Sequence, residues 1–372
     1  MKKIMIVFGT RPDAIKMIPL YLELKKYNQF DVKLCSTGQH KEMLEQVLEM
    51  FQVQVDYDLQ VMQPNQTLEN LTSNIIQKMR DVLQIEKSDI VLVHGDTATG
   101  FATALAAFYQ KIKVGHVEAG LRSFDKYSPF PEEMNRVLIS DLADYHFAPT
   151  KQNVQNLLNE GIRKENIAQT GNTVIDVIQY TVKENYQFEE EKLQQIDYEN
   201  HRVILVTAHR RENIGIGLEN ICDALNQITQ QYSDVKIVYP VHLNPKVREI
   251  VFKKLEGNSN IILVNPLGVK DLHNLVNKCY LVATDSGGIQ EEAPALGKPV
   301  LVLRKETERP EAIEAGTVKL VGNETENIVK EIKLLMDNPA EYEKMAKAVN
   351  PYGDGKASHY IAEFLLKKLE IE

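Results

Sequence analysis

The sequence predicts an α/β protein built from two parallel-sheet domains in tandem, and three observations carry that expectation. Short continuous apolar runs such as Ile4–Phe8, Ile90–His94 and Val203–Thr207 alternate with longer amphipathic stretches. This is the pattern of strands covered by helices on both faces. The rhythm lapses across the charged, mobile-looking stretch Phe188–His201 and then restarts cleanly, which implies a second sheet. At 372 residues the chain is long enough for two cores.

Each element follows from its own pattern. Ile4–Phe8 reads as the first strand, because the two lysines before it lead into a run too short for a secretory leader. Ala14–Tyr27 follows as a helix with Ile15, Ile18, Leu22 and Leu24 forming an apolar face. Val32–Ser36 is the next strand, and Lys41–Phe51 is a helix with Met43, Leu44, Val47 and Leu48 on one side. A helix over Leu68–Leu83, a strand over Ile90–His94, a small-residue helix over Ala102–Tyr109 and a strand over Val114–Glu118 continue the series. Ile167–Gln169 is strand-like. The second series runs strand Val203–Thr207, helix Leu218–Gln230, strand Val235–Pro240, helix Pro245–Leu255, strand Ile261–Val264, helix Lys270–Asn277 and strands Tyr280–Thr284 and Pro299–Leu303. The boundary is expected near Gly171. The last helix, Ala357–Leu369, follows the turn-rich Asn350–Gly355 and is expected to cross back. The expected domains are therefore 1–170 plus 355–372, and 171–354.

Composition narrows the function. A formal net charge of −9 argues against a nucleic-acid binder, which needs a broad basic face. Three scattered cysteines form no paired motif, which argues against a disulfide framework or zinc ribbon and fits a reducing cytosol. No apolar run approaches the ~18–20 residues of a membrane span. There is no HExxH, CxxC, Walker A loop or GxSxG elbow.

Chemistry is then expected at strand carboxyl ends, facing a cleft between two such sheets, where ligands of these folds bind. Thr284-Asp285-Ser286-Gly287-Gly288 joins an apolar run to a helix start. Free backbone N–H groups and the helix dipole there suit a phosphate or diphosphate, although a plain strand–turn–helix junction looks the same. Arg309 brings a guanidinium near that edge. In the first half, Arg11 and Lys16 crowd the electropositive start of a helix, where a bound anion would offset them; the alternative is a pair of surface cations. His94-Gly95-Asp96-Thr97 closes a buried strand with an ionisable pair, and Asp96 could equally cap the next helix. Glu118 ends another strand, where Arg122 could pair with it. Glu132 and Glu133 open a helix and could simply serve its dipole. Three carboxylates at one sheet edge nevertheless suit proton transfer at carbon. His209 is the histidine expected to act; His116, His146, His273 and His359 read as structural. The stretch Asn213–Asn220 has two of the three glycines of a dinucleotide fingerprint, a weak signal.

FGTRPDAIKMIPL, LVHGDT, VGHVEAGLRS, YSPFPEEMNR, APT, TGNTVID, TAHRRENIG, VYPVHLNP, TDSGGIQEEAPALGKPVLVLR, TERPEAIEAGT and NPYGDG, in this order from the first strand to the last helix, resemble the non-hydrolysing bacterial UDP-N-acetylglucosamine 2-epimerases. The resemblance implies a glycosyltransferase-B type fold of two Rossmann-like domains, usually dimeric and cytoplasmic, with no nicotinamide cofactor and no required metal. It implies interconversion of UDP-GlcNAc and UDP-ManNAc for surface polysaccharides such as capsule. Matched motif by motif, Asp96, Glu118, Glu132 and His209 look like the proton-transfer and sugar-facing residues, and Arg11 and Lys16 like cleft residues of the first domain. Ser286, Gly287 and Gly288 resemble a diphosphate nest, Glu292 a ribose acceptor and Arg309 a closing cation. The uracil pocket is expected along Asn265–Leu272, with Leu267 and Leu272 lining it; Leu272 stands where an aromatic is common. Some members bind a second UDP-GlcNAc as an activator beside a Gln-His pair matched by Gln39 and His40, with His242 of the VHLNP motif a further candidate. Glu42 and Asn65 stand where activated relatives carry Gln and Arg, so the resemblance leaves activation open. The rival readings are a UDP-sugar glycosyltransferase of the same frame, a 2-epimerase of a UDP-2,3-diacetamido uronic acid, and a catalytically silent UDP-sugar sensor.

Overall fold

A computed structural model of the chain describes residues 1–38, 41–63 and 65–369, with the backbone alone for residues 41–43. Its contacts divide the chain into two units, Met1–Tyr180 with Tyr352–Glu372, and Thr181–Pro351. The chain leaves the first unit ten residues past Gly171, because the short helix Thr173–Asp176 packs there and its Asp176 carboxylate accepts the N–H groups of Ala357 and Ser358 at 3.0 and 2.6 Å. That carboxylate caps the last helix, Ala357–Lys368, whose Ile361, Ala362 and Leu365 are buried.

Among the described residues the first unit holds a seven-stranded sheet: β1 Lys2–Phe8, β2 Phe30–Ser36, β3 Tyr57–Asp58, β4 Ile90–His94, β5 Lys113–Val117, β6 Tyr145–Ala148 and β7 Ile167–Gln169. The second holds six strands: β8 Arg202–Thr207, β9 Val235–Pro240, β10 Ile261–Val264, β11 Leu281–Thr284, β12 Val300–Val302 and β13 Val318–Leu320. All pair in parallel, in the orders β3-β2-β1-β4-β5-β6-β7 and β10-β9-β8-β11-β12-β13. Strand order therefore reverses beside β1 in one sheet and beside β8 in the other, so each unit has one switch point, between β1 and β4 and between β8 and β11.

Residues buried on both sheet faces explain the apolar runs: all of Ile90–His94 and of Leu281–Thr284 is buried. Phe188–His201 is not the mobile stretch that its charges suggest. The stretch is ordered, with Phe188 and Leu193 buried and a short helix over Glu191–Gln194. Phe188 stacks on Tyr198 and meets Tyr186 edge-on, while buried Asp271 accepts from the Tyr186 hydroxyl and from the Glu189 and Glu190 N–H groups. Its charges mask an aromatic anchor. No helix among the described residues is long and apolar enough to cross a membrane.

Candidate active site

The first unit gathers its ionisable side chains at the β1/β4 switch point. β1 ends against Gly9, where an added Cβ would lie 2.1 Å from Thr99 Oγ1 and 2.4 Å from Thr37 Oγ1, so only glycine lets the chain pass. Thr10 then caps the helix Arg11–Leu24, with Pro12 in its first turn and Asp13 closing the capping box. That box buries Asp13, whose Oδ2 takes the Thr10 N–H at 3.4 Å and the Thr97 hydroxyl at 3.3 Å. Its Oδ1 stands 3.3 Å from Nδ1 of His94, the last residue of β4. His94 Nε2 is 3.4 Å from Glu118 Oε2, and Lys16, on the same helix as Asp13, forms an ion pair with that oxygen. At 3.3 and 3.4 Å both His94 contacts are close but fall short of hydrogen-bond geometry. Burial alone would lower the His94 pKa, but the charge of Glu118, backed by Asp13, lifts it to about 9. Burial works against ionised Glu118 too, yet Lys16 and His94 together hold its carboxyl well below the usual range.

Glu118 lies just past β5, which closes at Val117, one residue earlier than the expected Val114–Glu118 strand. Its φ of 63° is left-handed, a conformation that costs a residue with a side chain on the order of 1 kcal/mol. The partner expected for it, Arg122, instead grips Glu160 at 2.6 and 2.7 Å. Asp96 is not the cap of the following helix; Thr97 is, accepting from the Gly100 N–H. Asp96 Oδ2 is instead clamped by Arg136, at 2.6 Å from Nη2 and 2.9 Å from Nε. Burial raises the Asp96 pKa, Arg136 pulls it down, nearby Glu118 adds to the rise, and the net direction is upward. Glu133 holds the other side of Arg136 at 2.8 Å and accepts the N–H groups of Ser123 and Phe124, so it organises the loop before its helix. Glu132 opens that helix half-buried, with no ion pair or side-chain hydrogen bond among the described residues. Arg11 is likewise half-buried and unpaired among them.

The second unit repeats the motif at the β8/β11 switch point. Asp285, fully buried after β11, accepts on Oδ2 from the His209 N–H at 2.8 Å, the Arg210 N–H at 2.7 Å and Asn213 Nδ2 at 3.0 Å. Its Oδ1 is 3.5 Å from His209 Nδ1. The His209 ring stacks on exposed His242, centroids 5.0 Å apart and planes 6° apart. Burial lowers the His209 pKa, and Asp285 only partly opposes it against His242 and Arg210. Ser286 occupies the N-cap of the helix Gly287–Ala295 without capping it through its side chain, so the first N–H groups carry no side-chain cap. A Cβ at Gly287 would lie 3.9 Å from Arg210 Nη2, Arg309 Nη2 and Glu308 Oε2, so two guanidinium groups and one carboxylate flank that helix start. Arg309 is held by Glu291 at 2.5 Å, and Glu292 lies 3.4 Å from buried His273, which also bonds Thr181. Leu267 and Leu272 are half-buried around the start of the helix Val269–Lys278. Gly217 packs on Asn323, whose amide bonds Asn213, so Asn213–Asn220 braces the Asp285 turn.

His116 and His146 bond the Gly95 and Ser140 carbonyls from buried positions, and His359 sits in a surface cluster with Glu23 and Glu363. Gln39 and His40 lie outside the described residues, as does the Glu42 side chain; Asn65 is exposed. Sequence reading overlooked Asp13, Arg136 and the clamp by Asp285. The Thr10–Asp13 spacing of a capping box was the available signal for the first; the others need strand order.

A family described as UDP-N-acetylglucosamine 2-epimerase matches residues 22–366. The UDP-N-acetylglucosamine 2-epimerase of Bacillus subtilis is 53% identical over 364 residues, 98% of this chain and 95% of that protein. The crystal structure of UDP-GlcNAc 2-epimerase from Neisseria meningitidis bound to UDP-GlcNAc superposes with a TM-score of 0.83 at 51% identity, covering 98% of this chain and 100% of the other. That of Methanocaldococcus jannaschii in complex with UDP-GlcNAc and UDP gives 0.75 at 34% identity, covering 98% and 99%.

Proposed function

This chain belongs to the UDP-N-acetylglucosamine 2-epimerase family and is an enzyme of that class, and we propose that it inverts C2 of UDP-GlcNAc, giving UDP-ManNAc, by eliminating UDP and adding it back. The C2 hydrogen is not beside a carbonyl, so direct deprotonation is prohibitive. Breaking the C1–O bond first places positive character at C1 and acidifies C2. Loss of the C2 proton then gives a 2-acetamidoglucal; a proton returns to C2 from the opposite face and UDP to C1. The reaction needs a diphosphate site, one group that takes a proton and another that gives one.

The observation that carries this reading is the opposed bias of two neighbouring carboxyls. Burial raises the Asp96 pKa above its ordinary value in spite of Arg136, while Lys16 and His94 hold that of Glu118 well below its own. Two carboxyls with environments that separate their protonation are suited to act as acid and base in one reaction. In this reading Glu132 and His209 complete the proton-transfer and sugar-facing set. Arg11 and Lys16 serve the substrate from the first unit. The backbone of Ser286, Gly287 and Gly288 with Arg309 takes the diphosphate, Glu292 the ribose, and the segment around Leu267 and Leu272 the uracil. The Neisseria and Methanocaldococcus relatives, solved with UDP-GlcNAc, support this choice of ligand. The reading extends to a cytoplasmic homodimer that supplies surface polysaccharide precursors.

Incubation with UDP-GlcNAc in D2O tests it. Deuterium at C2 of both epimers, without any acceptor, is the expected result. Sugar transfer without exchange would overturn the reading in favour of a glycosyltransferase. Preferential turnover of the 2,3-diacetamido uronic acid nucleotide would change the substrate.

A further inference from the structure

We propose that His94 is a positioning residue: an imidazolium wedged between Asp13 and Glu118 that, with Lys16, pins Glu118 by Oε2 and leaves Oε1 to carry the substrate proton. The proposal rests on the reading above that Glu118 takes part in proton transfer.

The geometry carries it. His94 is only 5% exposed and has a carboxylate at each ring nitrogen, 3.3 Å from Asp13 and 3.4 Å from Glu118. A neutral imidazole carries a proton on one nitrogen only and would turn a lone pair toward one of the two acids. Asp13 cannot swing away, because its other oxygen is engaged by the Thr10 N–H and the Thr97 hydroxyl. The charges agree: Asp13 and Glu118 against Lys16 alone leave a buried excess of one negative charge, which a protonated ring cancels. The other ionisable groups around the ring do not supply that charge. His116, on β5, is committed to the Gly95 carbonyl at 2.7 Å, and its burial lowers its pKa to about 3. Asp96, after β4, is paired with Arg136.

The consequence is atomic. Both cations meet Glu118 at Oε2. Oε1 makes no hydrogen bond or ion pair among the described residues, and a Cβ built on Gly95 would touch it at 3.9 Å, so the glycine leaves that oxygen uncovered on its side. His94 touches Glu118 and no reacting atom, and it acts by fixing which oxygen is offered and in which charge state.

Histidine labelled with 15N in the full-length enzyme reads the charge directly, with the His94 signal assigned by its loss in His94→Gln. Both ring nitrogens should be protonated at pH 7 and remain so until the pH approaches about 9. A neutral tautomer at pH 7 overturns the proposal. Asp13→Asn should bring the loss of that proton to lower pH; an unmoved titration also counts against it. Kinetically, His94→Gln should lower kcat for C2 exchange roughly 100-fold. KM should change little, and the acid limb of the pH profile should rise by about one unit as Glu118 loses an opposite charge. A profile scaled down uniformly, with its limb unmoved, reduces His94 to a packing residue. If His94→Gln does not fold, the nitrogen titration of the unaltered enzyme and of Asp13→Asn, with the signal assigned by its response to that substitution, carries the test. Absence of exchange in the unaltered enzyme would sink epimerisation itself, while the nitrogen spectrum would still report on His94.

Discussion

The two units set the same pair of residue types at their switch points, with the two strands exchanged, and obtain opposite results. Each puts a histidine beside a buried aspartate where its strand order reverses: His94 with Asp13, and His209 with Asp285. His94 is driven toward its charged form, His209 toward its neutral one. The difference lies in what else surrounds each pair. His94 faces a second carboxylate, Glu118. Asp285 instead spends one oxygen on three N–H donors, and His209 has a second imidazole and a guanidinium as neighbours. A histidine–carboxylate distance alone therefore does not determine a protonation state; the burial of the ring and the other charges around it do.

The largest way to break the comparison is to neutralise the first unit. Glu118→Gln or Asp96→Asn should lower C2 exchange by roughly a thousandfold or more while UDP binding, measured by calorimetry, persists. Near-normal exchange would remove that residue from the mechanism. In the second unit, Asp285→Ala orphans three donors at once and should cost about 3 kcal/mol in denaturant unfolding. A change under about 1 kcal/mol would mean that the turn holds itself.

Stability against pH should sharpen the contrast. The folded His94 pKa, about 9, lies above its unfolded value of 6.5. Its contribution is thus complete below pH 6.5 and fades as pH rises through 9. His209 is lowered when folded, so its contribution is complete above pH 6.5 and fades as pH falls through the folded value. Amide exchange at β4 and β11, corrected for the intrinsic effect of pH, should show these opposite slopes. The smallest effect is expected from His242→Ala, which removes one of the groups holding the His209 pKa down and should let it rise slightly in a nitrogen titration.

Much of this was legible in the sequence because apolar runs and strand-end turns are local signals. The buried strands, Gly9, and the turns at Asp96, Glu118, His209 and Asp285 all announce themselves within a few residues. Pairings were not legible. Arg122 reads as a neighbour of Glu118 four residues away, but the left-handed turn at Glu118 separates them, and Arg122 meets Glu160 instead. Lys16 reaches Glu118 because β1, β4 and β5 lie side by side, an order no periodicity reports. The acidic look of Phe188–His201 concealed Phe188 and Leu193, two contacts too sparse to form a pattern.

The Asp176 cap ties the end of the chain back into the first unit. Residues beyond Tyr352 complete the first unit, and Ile361, Ala362 and Leu365 fill its interior. Thr181–Pro351 is a continuous segment, whereas the first unit is completed by residues that come after it in the chain. The half of the protein that bears the carboxylates is made earliest and finished last, and a nascent chain halted before Ala357 would leave that half with an open core for a chaperone to cover.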